Sequence, residues 1–522
     1  MSEKKKVIPL FTRGDVGGLA YLIPNNIVNY LIIIATLSYV LQWPDELVYQ
    51  QVIPGMSIGL LLGCLYYAYM GYKLSKKTSR LDVTALPSGV STPAMFVILY
   101  GVITPLHYAL GDPYQTWYAA VAACFIGGFI EFCGGFIGPW MKKRIPRAAL
   151  LGTVAGIGFI WMATQGVFDV FGDPMIGLPV LFVALLGVIG GYLFPKKVPP
   201  MLVAIIGGIV YAYCLGRTQF DFSGVGFYVP NPVAGIQALI NGFAIVIPYL
   251  TVIIPIEIYN FIETMDNVEA ANTAGDEYNV REAQFADGIC TMISACFGGV
   301  IPNTVWLGHG GLKKTGAGIG YSWVSGIVLG LAGVFGLFTF LSSAVPAAVC
   351  AITFLWCAIT MVSQAFKECD VKHYAAVAVA MVPPIADYFY TQVTGAVGAA
   401  ADMWTETLST GLTGYSEEFT TSLIDNGVMW NGVPAVKAGA IIIGILLGTV
   451  TVFIIDKKLD KVAIVFAVGA VLSMFGFIHS AALGFYPTSE FVIGYAISAI
   501  LAFIFHLGRG KWIEEPDDFD YV

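Results

Sequence analysis

The residues best suited to chemistry lie in one acidic stretch, IPIEIYNFIETMDNVEAAN, which begins apolar and ends polar. An ionisable side chain deep in an apolar span is costly to bury and indicates function by default. Glu257 and Glu263 are six residues apart, so on a helix they point about 120° away from each other. Glu263 is preferred because Asn260 and Asn267 lie on its own face. Its carboxyl would bind a proton or accept N–H groups of a ligand, and the alternative is a structural hydrogen-bond network.

Two apolar segments, Val83–Leu99 and Ile301–Gly311, contain prolines and glycines that break them as helices. Unwound backbone at membrane depth is tolerated where it is buried in protein or lines a polar cavity. Half-helices in these segments would direct free N–H groups at a ligand. The predicted polar contacts are Ser88, Ser91, Asn303, Thr304 and His309. The alternative is that the prolines and glycines only kink packed helices.

Aromatic rings near these segments would stack on a planar ligand. The candidates are Tyr21, Phe96 and Trp306. Tyr21 also begins a polar stripe in the first apolar segment, and this stripe suits either a cavity lining or hydrogen bonds between helices. Its other members are Asn25, Asn26 and Asn29.

Three further acidic residues in apolar segments have weaker interpretations. We interpret Glu131 and Asp387 as helix-packing partners and Asp287 as a helix-end residue. The sequence contains no HExxH, GxSxG or Walker-type loop and no Cys/His cluster, so an integral membrane enzyme is the least favoured class. No cofactor or metal is expected.

These residues must be positioned by membrane helices. Of 522 residues, 57% are hydrophobic and 11% are charged, against roughly a quarter charged in an ordinary soluble domain. The mean hydropathy is +0.77, and the 60 glycines and 26 prolines suit membrane helices. The 26 basic residues form no dense patch, so no nucleic-acid partner is expected.

Fourteen apolar segments are long enough to span a bilayer. Among them are residues 243–268 and 374–390, which are the eighth and thirteenth crossings once the two broken segments are counted. The two broken segments, counted as crossings, bring the prediction to sixteen. With a cytoplasmic N-terminus, all 26 Lys and Arg residues except Arg217 and Lys437 then lie on the inner side, as the positive-inside rule requires. The C-terminus is predicted to be cytoplasmic as well, and the membrane is the cell membrane.

The broken segments are the third and tenth crossings, and such spacing indicates two inverted repeats. We predict a cytoplasmic tail over 1–16, a first seven-crossing repeat over 17–215 and a second over 232–455. An acidic outer insertion is predicted over 391–436, two additional spans over 456–508 and an acidic cytoplasmic tail over 509–522.

Several stretches, in this order, resemble the nucleobase–cation symporter-2 family, nearest to its adenine/guanine/hypoxanthine permease-like branch. They are TRGDVGGLAYLIPNNIVNYLIII, TALPSGVSTPAMF, FIETMDNVEAA, FADGICTMISACFGG, PNTVWLGHGG and MVPPIADYF. The resemblance covers roughly residues 10–455. It implies fourteen crossings in two inverted repeats, core and gate domains, a homodimer, and third and tenth segments that pair as short strands leading into half-helices.

The resemblance also implies that Glu263 contacts the base and couples to protons. The family's second acidic residue falls at about Gly308 or His309 here and is absent. We therefore predict a secondary transporter that takes up a nucleobase, or another small nitrogen-rich polar solute, by alternating access coupled to H⁺ or Na⁺. The alternative is an anion transporter on the same fold, for bicarbonate, sulfate or dicarboxylates.

Overall fold

A computed structural model describes residues 7–142, 144–188, 200–222, 224–367, 369–403, 428, 432–480 and 483–509. The regular secondary structure of the described chain is helical apart from two three-residue strands. The predicted inner-tail residues 1–6 and 510–522, and most of the acidic insertion, lie outside the described residues.

The elements before residue 215 are α1 (Asp15–Ile34), α2 (Asp45–Leu47), α3 (Ile53–Thr78), β1 (Ser88–Val90), α4 (Thr92–Ile98), α5 (Thr104–Leu110), α6 (Pro113–Lys142), α7 (Arg147–Ile157), α8 (Thr164–Gly172), α9 (Pro174–Val188) and α10 (Pro200–Cys214). π-helical turns extend or join several of them, at Ala35–Val40, Val48–Val52, Leu99–Ile103 and Gly158–Ala163.

The later elements are α11 (Pro232–Val246), α12 (Leu250–Thr273), α13 (Val280–Cys296), β2 (Asn303–Val305), α14 (His309–Lys314), α15 (Gly320–Val334), α16 (Leu337–Ala344), α17 (Ala347–Lys367), α18 (Tyr374–Met381), α19 (Pro383–Met403), α20 (Val433–Lys437), α21 (Ala440–Ile455), α22 (Leu459–Met474) and α23 (Ser489–Gly508). Short 3₁₀ turns lie at Ile247–Tyr249 and Val371–His373.

Many of these helices are apolar enough to cross a membrane. Eight helical runs in the described part of the chain are long and apolar enough, and the bent pair α15–α16 makes a ninth. Three shorter apolar helices, within α9, α10 and α21, accompany them. The predicted fold class, a polytopic helical membrane protein, is confirmed, whereas the count of sixteen crossings and the inverted repeat stay predictions.

The two broken segments meet as a short antiparallel ribbon. Ser88 lies opposite Val305, Gly89 opposite Thr304 and Val90 opposite Asn303. Beyond β1 the chain enters α4, where the Ser91 hydroxyl accepts the Ala94 N–H as an N-cap. The structure thus contains the strand pairing that the resemblance implies, although the helical run after β1 continues to Leu110, past the predicted end at Leu99.

The chain divides into two compact units. The first comprises Met1–Trp140, Gln165–Ile247 and Ile256–Trp356, and it contains the ribbon. Small residues allow close helix packing within it: a Cβ on Gly59 of α3 would overlap Ser294 of α13.

The second unit comprises Met141–Thr164, Pro248–Pro255 and Cys357–Val522. One of its apolar clusters contains Ala148, Ala155, Val377 and Val452. Another contains Val450, Val462 and Ala502, and it packs α22 and α23 against α21. Helices thus occupy both of the predicted additional spans, and α23 is long and apolar enough to cross.

Two helices differ from the segments read in the sequence. The eighth segment, predicted over 243–268, is divided by the turn Ile247–Tyr249, and α12 runs on to Thr273. The thirteenth, predicted over 374–390, is divided between α18 and α19, and α19 extends to Met403. A proline lies at each division, Pro248 and Pro383, and proline lacks the N–H that a continuous helix needs.

Candidate functional site

Asparagines of α1 hold the first strand of the ribbon. The Asn26 Oδ1 accepts the Val90 N–H at 3.1 Å, and the Asn29 Nδ2 donates to the Val90 carbonyl at 3.2 Å. Asn26 and Asn29 are buried. Of the two interpretations of this stripe, these residues therefore fit hydrogen bonding between elements, because a buried strand needs partners for its backbone groups.

Helix α12 holds the second strand in the same way. The Asn260 Nδ2 donates to the Asn303 carbonyl at 3.2 Å, and the Asn267 Nδ2 donates to the Val305 carbonyl at 2.7 Å. Between them, the Val305 N–H donates to the Thr264 hydroxyl at 3.4 Å. The positions 260, 264 and 267 form one helix face, so this face of α12 lies on β2.

Glu263 lies at the edge of the α12 face that contacts β2. It is partly buried, whereas Glu257 on the same helix is fully buried. The Tyr259 side chain, one turn earlier, is a hydrogen-bond partner of the Glu263 carboxyl. The Glu263 Oε2 is buried and has no hydrogen-bond partner within the described part of the chain. Glu263 thus combines partial access with an unused acceptor atom.

Two of the predicted aromatic residues meet beside the ribbon. The rings of Tyr21 and Trp306 are edge to face with centroids 6.4 Å apart. The Trp306 Nε1 donates to the Val90 carbonyl at 3.2 Å, and the Tyr21 hydroxyl donates to the Leu307 carbonyl at 2.9 Å. A Cβ on Gly89 would overlap the Trp306 ring, so glycine is required there for the indole to lie against the strand.

The third predicted aromatic residue, Phe96, is buried and packs edge to face on Phe354 with centroids 5.9 Å apart. Phe96 therefore contributes to core packing in this conformation.

The polar residues of the ribbon differ in what they contact. The Thr304 and Thr264 hydroxyls are 2.9 Å apart, and Ser91 is the N-cap described above. The Ser88 Oγ and the Asn303 Nδ2 are buried and find no hydrogen-bond partner among the residues described. These two groups have hydrogen-bonding capacity left for a ligand or for water.

His309 belongs to a charged cluster around Asp276, a loop residue that the sequence did not single out. Its Nδ1 lies 3.1 Å from the Ala85 carbonyl and its Nε2 lies 3.1 Å from the Asp276 Oδ2. The imidazole is thus engaged within the protein through both nitrogens.

Asp276 also accepts hydrogen bonds from three other donors. The Lys313 Nζ lies at 2.5 Å, the Arg80 guanidinium at 3.1 Å and the Thr84 N–H at 3.0 Å. Burial alone would raise the pKa of Asp276, but the hydrogen bonds from His309, Lys313 and Thr84 outweigh burial and lower it. The cluster joins the chain before β1 to α14, and we call it the Asp276 cluster.

A second acidic cluster lies on the other side of Thr264. The Thr264 hydroxyl is 3.1 Å from the Glu131 Oε1 and 2.9 Å from the Asp287 Oδ2. Both carboxyls are fully buried. The interpretation of Glu131 as a helix-packing partner agrees with its contact to α12, whereas the interpretation of Asp287 as a helix-end residue did not anticipate this contact. The available signal was that both residues are ionisable within apolar segments.

Comparisons with known proteins give a family. The model of the Permease family (Xan_ur_permease) matches residues 83–386, and no curated protein is significantly similar to the chain in sequence.

Among solved structures, the transmembrane domain of the cyanobacterial bicarbonate transporter BicA is 16% identical with a TM-score of 0.48, over 73% of this chain and 97% of that chain. A structure of SLC26A9 is 11% identical with a TM-score of 0.42, over 68% of this chain and 65% of that chain. The murine Slc26a9 anion transporter is 12% identical with a TM-score of 0.41, over 79% and 74%.

The family match covers more than half of the chain and includes the ribbon, α12 and α13. These elements belong to a polytopic helical fold. The chain belongs to the Permease family and is a membrane transporter.

Proposed function

We propose that this transporter takes up a nucleobase, purine-like in size, or a similar planar solute rich in N–H groups, with protons as the coupling ion. The observation that carries the proposal is Glu263, a partly buried residue beside the ribbon whose buried Oε2 is an acceptor that no described group uses. A carboxylate accepts hydrogen bonds and donates none when ionised, so it suits a ligand that presents N–H donors.

The charge around Glu263 favours such a ligand over an anion. Among the described residues, no Lys, Arg or His forms an ion pair with Glu263, and the ionisable groups that face it include Tyr259, Asp266 and Asp287. An anion placed there would meet negative charge without compensation. The anion transporter is therefore the weaker candidate, and it enters the test below as an opposing outcome.

Proton-coupled uptake follows if the site that contains the Glu263 carboxyl carries the base and a proton across the membrane together. Alternating access, with the core domain moving against the gate domain, belongs to the same proposal, as do the homodimer, the cell membrane and the cytoplasmic N-terminus. Tyr21 and Trp306 would contact the face or edge of a planar ligand, and Ser88 and Asn303 would supply polar contacts.

The test uses the full-length protein in proteoliposomes loaded at alkaline pH. We expect the wild-type protein to accumulate radiolabelled hypoxanthine when the outside is acidic, and to stop when a protonophore removes the gradient. Glu263→Gln should abolish accumulation while the protein stays folded. Glu269→Gln, a carboxyl near the end of the same helix, is the matched control and should transport normally.

Normal accumulation by Glu263→Gln would contradict the proposal. Gradient-driven uptake of bicarbonate or sulfate that purines do not inhibit would assign the protein to anions instead. Uptake that depends on a Na⁺ gradient and is insensitive to the protonophore would show that the coupling ion is Na⁺ and not H⁺.

A further inference from the structure

Glu131 of α6 and Asp287 of α13 are two buried carboxyls without a cation. Both side chains are fully buried, and no Lys, Arg or His is paired with either one in the described part of the chain. The two carboxyls are hydrogen-bond partners of each other. One oxygen of each, Glu131 Oε2 and Asp287 Oδ1, has no donor among the described groups.

The Thr264 hydroxyl between the two carboxyls cannot satisfy both as anions. It carries one hydrogen, yet it lies 3.1 Å from the Glu131 Oε1 and 2.9 Å from the Asp287 Oδ2. If both carboxyls were ionised, the Thr264 hydrogen could occupy only one of its two contacts. The other Thr264 contact, and the direct contact between the carboxyls, would each place two oxygens together with no hydrogen between them. Asp287 also has hydrogen-bond contacts to the Tyr67 hydroxyl and the Val305 N–H, but these do not place a hydrogen between the facing oxygens. Such oxygen–oxygen contacts between buried anions are strongly disfavoured, so at least one more hydrogen must be present.

We propose that Glu131 and Asp287 share one proton and, with Thr264 between them, form a second proton-carrying site of this transporter, separate from Glu263. The proposal rests on the proton coupling proposed above.

Groups that face the pair come from every element packed around it. Glu257 and Glu263 face it from α12, Tyr67 from α3, Cys124 from α6 and Cys290 from α13. Each is acidic or neutral, so none can replace the missing positive charge. Glu257 is itself fully buried, and a third carboxyl nearby further favours a proton on the pair over two anions.

Thr264 provides a route for the proton between the carboxyls. The protonated Glu131 donates its hydrogen to the Thr264 oxygen while the Thr264 hydrogen passes to Asp287. One O–H bond breaks and one forms at Thr264, Glu131 becomes the anion and Asp287 the acid, and the total charge is unchanged. Because Thr264 also contacts Thr304 and the Val305 N–H, this step is linked to β2 and to the helix that carries Glu263.

The direct test is infrared difference spectroscopy of the full-length protein in bilayers between neutral and alkaline pH. The C=O stretch of a protonated carboxyl is separate from the bands of a carboxylate. We expect wild-type protein to show such a band, which Glu131→Gln removes and Asp287→Asn removes or shifts. Thr264→Val, which keeps the side-chain shape and deletes the hydroxyl, should shift the band because the acid loses a hydrogen-bond partner. Glu282→Gln, a carboxyl of the first turn of α13 that pairs with Lys73, should leave it unchanged.

A band that is identical in wild type, Glu131→Gln and Asp287→Asn would overturn the shared proton. Thr264→Val keeps the test decisive if the charge variants fail to fold. An unshifted carboxyl band in Thr264→Val also counts against the shared proton.

A second measurement addresses the role in coupling. Glu131→Gln should lose accumulation driven by a pH gradient yet keep exchange of labelled for unlabelled hypoxanthine; unchanged accumulation with an unchanged pH profile would overturn the role. The spectroscopic result does not depend on the substrate. If the band behaves as expected but no purine is moved, the proposed substrate fails and the proton pair stands. If purines are moved by a pH gradient but the band is absent, the pair fails and the proposed function stands.

Discussion

Two buried acidic clusters in the first unit differ in how their charge is compensated. Asp276 contacts His309 and accepts hydrogen bonds from Lys313 and Arg80, so two cations face its anion. Glu131 and Asp287 contact the Thr264 hydroxyl and each other, and Asp287 also contacts Tyr67 and the Val305 N–H, but no described Lys, Arg or His pairs with either carboxyl. Burial is similar, since all three carboxyl side chains are inaccessible to solvent.

The comparison indicates which of the buried carboxyls are suited to binding a proton. At Asp276 the hydrogen bonds from its partners fix the ionised form, and the cluster ties the chain before β1 to α14. At the Glu131–Asp287 pair no cation is paired among the residues that the structure describes, and in our proposal a shared proton neutralises the charge. The first arrangement suits structural support and the second suits proton binding, and neutralising substitutions should separate the two.

The largest expected effect is that of Asp276→Asn. Removing the anion leaves the facing cations without their partner, so we expect the free energy of unfolding to fall by about 3–5 kcal/mol. Denaturant unfolding in detergent, followed by tryptophan fluorescence, measures it. Asp82→Asn is the control, because that side chain is 68% exposed and also pairs with Arg80, and it should cost about 1 kcal/mol or less. Equal losses of unfolding free energy in Asp276→Asn and Asp82→Asn would contradict the distinction between a buried and an exposed carboxylate.

The pH dependence of Asp276 is the next largest effect. Its pKa lies below the ordinary value in the folded protein, so the unfolded chain binds more protons at acidic pH and stability rises with pH. The contribution of Asp276 is therefore complete above the unfolded carboxyl pKa of about 3.9 and is lost as the pH falls through the lowered folded value. The difference in unfolding free energy between wild type and Asp276→Asn should narrow below about pH 4. A constant difference in unfolding free energy over that pH range would show that the charge of Asp276 does not contribute to stability.

The smallest expected effect is that of Glu131→Gln on stability. If Glu131 already shares a proton, an amide replaces a neutral or half-neutral group, and the free energy of unfolding at neutral pH should change by no more than about 1 kcal/mol. The same unfolding measurement applies. A loss as large as that of Asp276→Asn would mean that Glu131 is a paired anion, and the contrast between the clusters would disappear.

The sequence located the neighbourhood of the site better than its individual contacts. Asn260 and Asn267 lie on one face of α12, as their spacing predicts, because helical periodicity is a local property; the role of Glu263 at the edge of that face stays a prediction. The asparagine stripe of α1 allowed two interpretations, and hydrogen bonds to β1 agree with one of them. His309 was predicted to contact the ligand, and the structure places its ring on Asp276, a loop residue with no local signal.

The amino-acid sequence by itself determined a polytopic helical membrane protein with two interrupted segments. Hydropathy, proline and glycine act over a few turns of backbone, so these features can be read along the chain. Only the tertiary structure decided which carboxyl has which partner. Thr264 and Glu131 are 133 residues apart, and His309 and Asp276 are 33 apart. The protonation of a buried acid depends on the groups packed around it in space, and no pattern of neighbouring residues in the sequence contains that information.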